Sequence, residues 1–309
     1  MKDYLERFRT TSFFNEIPGL ISFFYLQGQA LVDYVRIPVW ASALDPRIHV
    51  FWIQATRSGK SIAWEFIGEI ADLAGLDIDM FTSGTDSALI GSIDSVSDGD
   101  GGYELVQNEG LLGGKKCLNF DEGSILLQSN PKQFFSEVIL YLQQAMNPIG
   151  SHSNTLTKHM KNGKVETESR VSLWITSFPP AGVKEYVLTK GLFQRVLLIY
   201  RPWSEDMRQM VSEQRMSGVF QDKLTDVSSL QDIADHFIRI REKTQARLLG
   251  LANMTNQQWE ELGPAGKEEV ARGCMHDMFR TDESFNPQMM ASVDEYYTLV
   301  RGMDKHLSD

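Results

Sequence analysis

Residues 49–73 read HVFWIQATRSGKSIAWEFIGEIADL. An apolar run meets a short polar turn that closes on Gly-Lys-Ser, and a helical pattern follows. A phosphate-binding loop needs backbone N–H groups pointing into a concave turn and a helix N-terminus behind the anion. It also needs a Lys and a Ser or Thr for the terminal phosphates and for Mg²⁺. Here a buried strand over residues 48–54 precedes the turn, and a helix is predicted over 60–75. Ile62, Phe66, Ile67, Ile70 and Leu73 form one apolar stripe on that helix, with Gly75 as a C-cap. Gln54, Thr56, Arg57, Ser58, Gly59, Lys60 and Ser61 are the candidate phosphate contacts, and Ser61 is also a candidate metal ligand. In the pattern G-x-x-x-x-G-K-[ST] the first glycine falls at Gln54, which must avoid positive φ or accept strain. Gly-Lys-Ser also occurs in ordinary surface turns, so the rest of the chain decides.

The chain has 309 residues, of which 42% are hydrophobic, enough to bury a sizeable core. It has no apolar run of membrane-spanning length and no signal-peptide pattern at Met1–Thr10, which predicts a soluble, cytoplasmic protein without a membrane partner. Cys117 and Cys274 make neither a disulfide framework nor a metal pattern, and the six histidines are scattered. A formal charge of −11 excludes a surface that is basic all over, so any nucleic-acid contact must come from a local basic patch.

Three segments follow from the pattern. Residues 1–45 read as short helices punctuated by Pro18 and Pro38, residues 46–203 as the core, and residues 204–309 as amphipathic helices. Within the core, MFTSGTDSALIGSI reads as a strand end, a turn and a helix from about Thr85. SVSDGDGGYELVQNEGLLGG reads as a loop-rich, mobile excursion. KKCLNF is a strand, and residues 131–146 a helix begun by Pro131 with Phe135, Val138, Ile139 and Leu142 on one face. VSLWITSF and LFQRVLLIY are two further strands. Strands alternating with helices predict an α/β fold with a mainly parallel sheet covered on both faces.

A nucleoside triphosphatase needs an acid at the end of a buried strand next to the loop strand, to hold the Mg²⁺ shell, and a second acid to polarise the attacking water. KKCLNFDEG, residues 115–123, ends in Asp121-Glu122. Asp121 takes the metal side and Glu122 the general-base role. The competing reading is two solvated acids at a strand end, and Asn119 interrupts the apolar run of that strand. RVSLWITSFPP ends in Thr176-Ser177, either of which can reach the γ-phosphate or the water, or simply cap the strand. Arg195, at the start of LFQRVLLIY, is costly to bury without a partner and points to an edge or an interface. There it serves as a trans-acting arginine or pairs with an acid of its own chain; Arg201 is the second candidate.

NTLTKHMKNGKVETESRVSLW carries Asn162-Gly163 between alternating segments, a strong hairpin signal, placing a hairpin near residues 152–172. Lys158, His159, Lys161 and Lys164 crowd its tip. In so acidic a chain, that local reversal of sign suits phosphate tracking on DNA. The alternative is a hairpin whose lysines protect a sheet edge.

In this order, loop, Asp-Glu, helix, hairpin, polar strand end and arginine resemble the AAA+ ATPase module, and within it the minichromosome-maintenance-type helicases. FTSGTDSALIGSI, CLNFDEGSILL and GLFQRVLLIYRP also resemble the helicase-like P-loop proteins of phages, plasmids and mobile elements. The resemblance spans roughly residues 48–203. It implies ATP as substrate, Mg²⁺, a homo-oligomeric ring (a hexamer), DNA as partner, primase or polymerase as further partners, and Arg195 as an arginine finger. The chain departs from the family at Gln54, at Thr176-Ser177 where Asn is expected, and in lacking the N-terminal DNA-binding domain of the cellular helicases. Two other classes stay open: a terminase-like DNA-packaging ATPase, and a non-motor nucleotide-binding assembly protein.

Overall fold

The computed structural model describes residues 1–11, 16–39, 42–55, 58–81, 86–97, 103–124, 133–160, 163–179, 191–201, 204–206, 209, 212–213 and 227–279. Strand β3 (Val50–Gln54) is buried along its whole length. Its residues alternate between two cores, as the two-residue period of a strand requires. Val50 and Trp52 join one cluster, and Phe51 and Ile53 the other. The same alternation runs through β7 (Cys117–Phe120) and β10 (Ser172–Ser177). Cys117 and Trp174 face the first core, while Leu118, Phe120, Leu173 and Ile175 face the second. A sheet apolar on both faces must be covered on both, and parallel pairing supplies the crossovers that cover it.

Five strands form that sheet, all parallel, with β4 (Ile78–Phe81) and β11 (Leu197–Arg201) at its edges. The order is β11-β3-β10-β7-β4. The acid-bearing β7 was expected next to the loop strand β3. Instead β10 lies between them, pairing Ile175 with both Phe51 and Phe120. That insertion brings the polar end of β10 between the turn at Gly59-Lys60-Ser61 and the acids.

The first face is covered by α3 (Lys60–Leu73), by α1 (Lys2–Thr11) and α2 (Glu16–Ala30), and by α6 (Val227–Ala252). Tyr4, Phe8, Phe23, Phe66 and Phe237 from these four helices share one cluster, so this core draws on all three segments of the sequence. Pro18 stands in the first turn of α2, where its missing N–H costs little. The second face is covered by α4 (Asp86–Ile90) and α5 (Gln133–Ala145), through Leu89, Ile90, Val138, Ile139 and Leu142. Pro131 lies outside the described residues. A third cluster joins Tyr34 to α6, α7 (Asn256–Glu260) and α8 (Pro264–Phe279) through Leu248, Trp259 and Met278. The described residues of the last segment thus contain three helices between 227 and 279, and residues 280–309 lie outside the described part.

The fold departs from the sequence reading in three further places. Within the segment read as short helices, β1 (Ile37–Val39) and β2 (Ser42–Leu44) form an antiparallel pair. The stretch read as a loop-rich excursion contains β5 (Gly91–Ser97) and β6 (Tyr103–Glu109), a seven-residue antiparallel ribbon. The hairpin β8 (Thr155–Met160) with β9 (Gly163–Glu168) is present, but its register closes Met160 onto Gly163. Gly163 therefore belongs to the strand, and not to the centre of the turn.

Buried polar groups tie these parts together. The Arg47 guanidinium pairs with Asp45 and donates to the carbonyls of Ala145, Asn147, Ser169 and Val171. This fastens the start of β3 to the base of the hairpin. Arg36, fully buried, forks onto Glu268 of α8. Truncating either partner would strand a buried charge, which typically costs about 3–5 kcal/mol.

Candidate functional site

The turn after β3 enters α3 through Gly59, whose φ of 86° is left-handed and suits glycine. Gln54 is not among the positive-φ residues. It remains in the strand, paired to Arg201, and its carboxamide accepts from Trp52 Nε1 at 2.8 Å. The replaced glycine therefore causes no strain at this position. Lys60 folds back over the loop, its Nζ donating to the carbonyls of Gln54 (2.6 Å) and Ala55 (2.9 Å). Burial lowers the Lys60 pKa, while Glu122 and Asp121 act to raise it. The Ser58 hydroxyl is buried, with no hydrogen-bond partner among the described residues. Thr56 and Arg57 lie outside the described residues.

The acids stand across from the loop. Asp121 leaves β7 with its N–H bonded to the Phe81 carbonyl, and its Oδ1 accepts from Thr176 Oγ1 at 3.0 Å and from the Glu122 N–H at 3.1 Å. Thr176 thus orients the Asp121 carboxylate. The Ser177 hydroxyl turns to its own chain and donates to the Phe178 carbonyl. Glu122 has φ 62°, a left-handed conformation that costs a non-glycine residue about 1–2 kcal/mol. The next residue holds it there: the Gly123 N–H donates to the Thr176 carbonyl at 2.6 Å. Ser124, buried, donates its hydroxyl to Glu122 Oε1. Gly123 and Ser124 were not foreseen, since Gly-Ser after two acids reads only as a loop.

One cleft of about 320 Å³ is lined by Ser58, Gly59, Lys60, Ser61, Asp121, Glu122, Thr176 and Ser177. Residues scattered over 120 positions of sequence thus converge at the C-terminal ends of three adjacent parallel strands, where ligands of open α/β sheets bind. A second hollow of about 490 Å³ shares Lys60, Ser61, Asp121 and Thr176 with it and is walled by Trp64, Ile78, Met80 and Asn119. Asn119 lines this hollow, and its buried carboxamide oxygen has no hydrogen-bond partner among the described residues. The polar residue that interrupts the β7 run therefore belongs to the wall of a cavity.

Arg195 is not brought to this cleft. It lies in the turn before β11 rather than in the strand, exposed, with Nε donating to Asn147 Oδ1 (3.1 Å) and Nη1 to the Gly191 carbonyl (3.0 Å). β11 runs parallel to β3, and Arg201 pairs with Gln54 at the loop end. At ~3.3 Å per residue, Arg195 sits roughly 20 Å from that end. No acid of the described residues forms an ion pair with it. The Arg201 side chain is outside the described part.

The hairpin lysines are partly engaged. Lys158 donates to Ser87 Oγ at 2.9 Å, and Lys164 pairs with Glu166. The Lys164 hydrogen bond holds the Glu166 carboxyl below the usual carboxylate range. His159 stands opposite Lys164, and Lys161 lies outside the described residues. The β5–β6 ribbon lies alongside, with Gln107 Nε2 on the Glu166 carbonyl and Thr167 Oγ1 on Glu109. No protein-family model matches this chain, and no curated protein sequence does. Among the described residues, no helix is long and apolar enough to cross a membrane.

Proposed function

We propose that this chain is a P-loop nucleoside triphosphatase of the AAA+ type, which hydrolyses ATP and acts on DNA as a ring-forming motor or loader. The observation that carries this reading is the single cleft that gathers Gly59-Lys60-Ser61, Asp121-Glu122 and Thr176. Binding alone does not require the second acid, which favours hydrolysis over a purely structural nucleotide site.

The chemistry follows from the placement of each group. The loop N–H groups and the α3 N-terminus receive the phosphates. Lys60 exchanges the carbonyls of Gln54 and Ala55 for phosphate oxygens, with its Nζ already inside the loop. Glu122 takes the proton of the attacking water. The Ser61 hydroxyl and the Asp121 carboxylate are hard oxygen donors of the kind that hold Mg²⁺ together with substrate phosphates, and the ion when bound neutralises charge on those phosphates.

Arg195 does not line its own cleft and is exposed, and in this reading it serves a neighbour's γ-phosphate. Beside it, edge strand β11 exposes Leu197, Leu198 and Tyr200, an apolar surface that suits contact with a second copy. The β8–β9 hairpin supplies the DNA contact. The test is steady-state turnover of Mg-ATP. Wild type hydrolyses it, Glu122→Gln binds nucleotide but loses turnover by about 10²-fold or more, and Lys60→Ala binds poorly. Equal hydrolysis by wild type and Glu122→Gln would overturn the assignment.

A further inference from the structure

We propose that Ser124 is a positioning residue for Glu122: its hydroxyl fixes one carboxylate oxygen so that the other faces the attacking water. The inference rests on the hydrolytic reading above and names a residue that the phosphate-loop and acid-pair patterns do not contain. Four observations converge on it. Ser124 is 2% exposed, so its hydroxyl has little access to solvent and is directed within the protein. It donates to Glu122 Oε1. Glu122 itself is exposed on the cleft and would otherwise be free to rotate about its side-chain bonds. Its backbone is left-handed, a conformation that persists in a non-glycine residue only when its surroundings hold it.

The surroundings here are explicit. The Glu122 N–H is held by Asp121 Oδ1, the Gly123 N–H by the Thr176 carbonyl, and the side chain by Ser124. The three contacts aim one carboxylate at the cleft in a turn that an unsupported glutamate would leave. A general base displaced by about 1 Å loses rate by roughly 10²-fold. One carboxylate oxygen occupied by a fixed donor leaves the other as the acceptor for the water proton.

The experiment compares Mg-ATP turnover and nucleotide affinity for wild type, Ser124→Ala, Ser124→Thr, Glu122→Ala and the Ser124→Ala/Glu122→Ala double variant, with thermal melts of each. Ser124→Ala is expected to lower kcat by about 10- to 100-fold with nucleotide affinity within twofold. Ser124→Thr, which keeps the hydroxyl, restores most of kcat. In the Glu122→Ala background Ser124→Ala has no further effect, because the group it positions is gone. A Ser124→Ala kcat within twofold of wild type overturns the proposal. So does an equal loss from Ser124→Ala with and without Glu122, or a loss that accompanies weakened binding and a lowered melt and that Ser124→Thr does not repair. Absence of turnover in wild type overturns the hydrolytic reading, and this inference with it. Turnover in wild type that Ser124→Ala leaves intact overturns the inference alone.

Discussion

A Cβ on residue 123 would meet Ile175 Cγ2 at 2.4 Å and the Thr176 carbonyl at 3.2 Å, so the turn after the acids lies directly on β10. Gly123→Ala is expected to cost about 1–3 kcal/mol of stability by overpacking, measured by urea denaturation. It should also lower turnover, because the same shift moves Glu122. His49, at the start of β3, is a second residue whose effect is readable. It is buried, its Nδ1 accepts from the Leu173 N–H at 3.2 Å, and burial, with Arg47 adding, lowers its pKa to about 3 against the pull of Asp45. The folded chain therefore keeps His49 neutral where the unfolded chain protonates it, between about pH 6.5 and pH 3. Stability is full above the unfolded value and falls as pH drops through this window, by about 2 kcal/mol at pH 5. Asp45 enters only lower. Burial raises its carboxyl, but Arg47 and the Ile149 N–H hold it at about 2. Replacing His49 by Asn, which keeps a neutral acceptor, should flatten the curve between pH 7 and pH 5. An unchanged pH dependence would show that His49 does not titrate in this way.

At the scale of elements, the β8–β9 hairpin makes the DNA contact testable. If its tip tracks phosphates, replacing Lys158, Lys161 and Lys164 by Ala should weaken DNA binding. The log–log salt slope should fall by roughly 0.7–0.9 for each phosphate that the variant no longer neutralises. Hydrolysis without DNA should barely change, since neither Lys158 nor Lys164 lines the cleft. Identical salt slopes for wild type and triple variant would leave the hairpin as an edge device only. The pattern of the hairpin was legible because Leu156 and Val165 alternate inward and a turn signal separates them. The neighbouring ribbon was not. All of β6 is exposed and most of β5 is too, so no face is marked by apolar residues, and the Asp and Gly content between them reads as loop. β3, β7 and β10 were legible for the opposite reason: burial on both faces writes an apolar run that ends abruptly in polar residues, while α3 was legible from the helical spacing of Phe66, Ile67 and Ile70.

At the scale of the molecule, strand order was the part the sequence did not reveal. Parallel neighbours are chosen by packing between distant segments, so nothing local to Cys117–Phe120 or Ser172–Ser177 states that β10 separates β7 from β3. The consequence is functional, because Thr176 thereby reaches Asp121. Arg195 lies before the start of β11, at the end of the strand opposite the loop, and an assembly role for it is testable. Arg195→Ala subunits should bind ATP yet turn over slowly. Mixing them with Lys60→Ala subunits should restore part of the activity at interfaces that combine an intact loop with an intact arginine. No recovery in any mixture that assembles would confine Arg195 to its contacts with Asn147 and Gly191. Whether this cleft binds and cleaves a nucleoside triphosphate with Glu122 as base is decided by the identity of the nucleotide retained after exposure to Mg-ATP. Wild type should hold ADP, and Glu122→Gln should hold uncleaved ATP. Retention of ADP by both, or of no nucleotide by either, would contradict it.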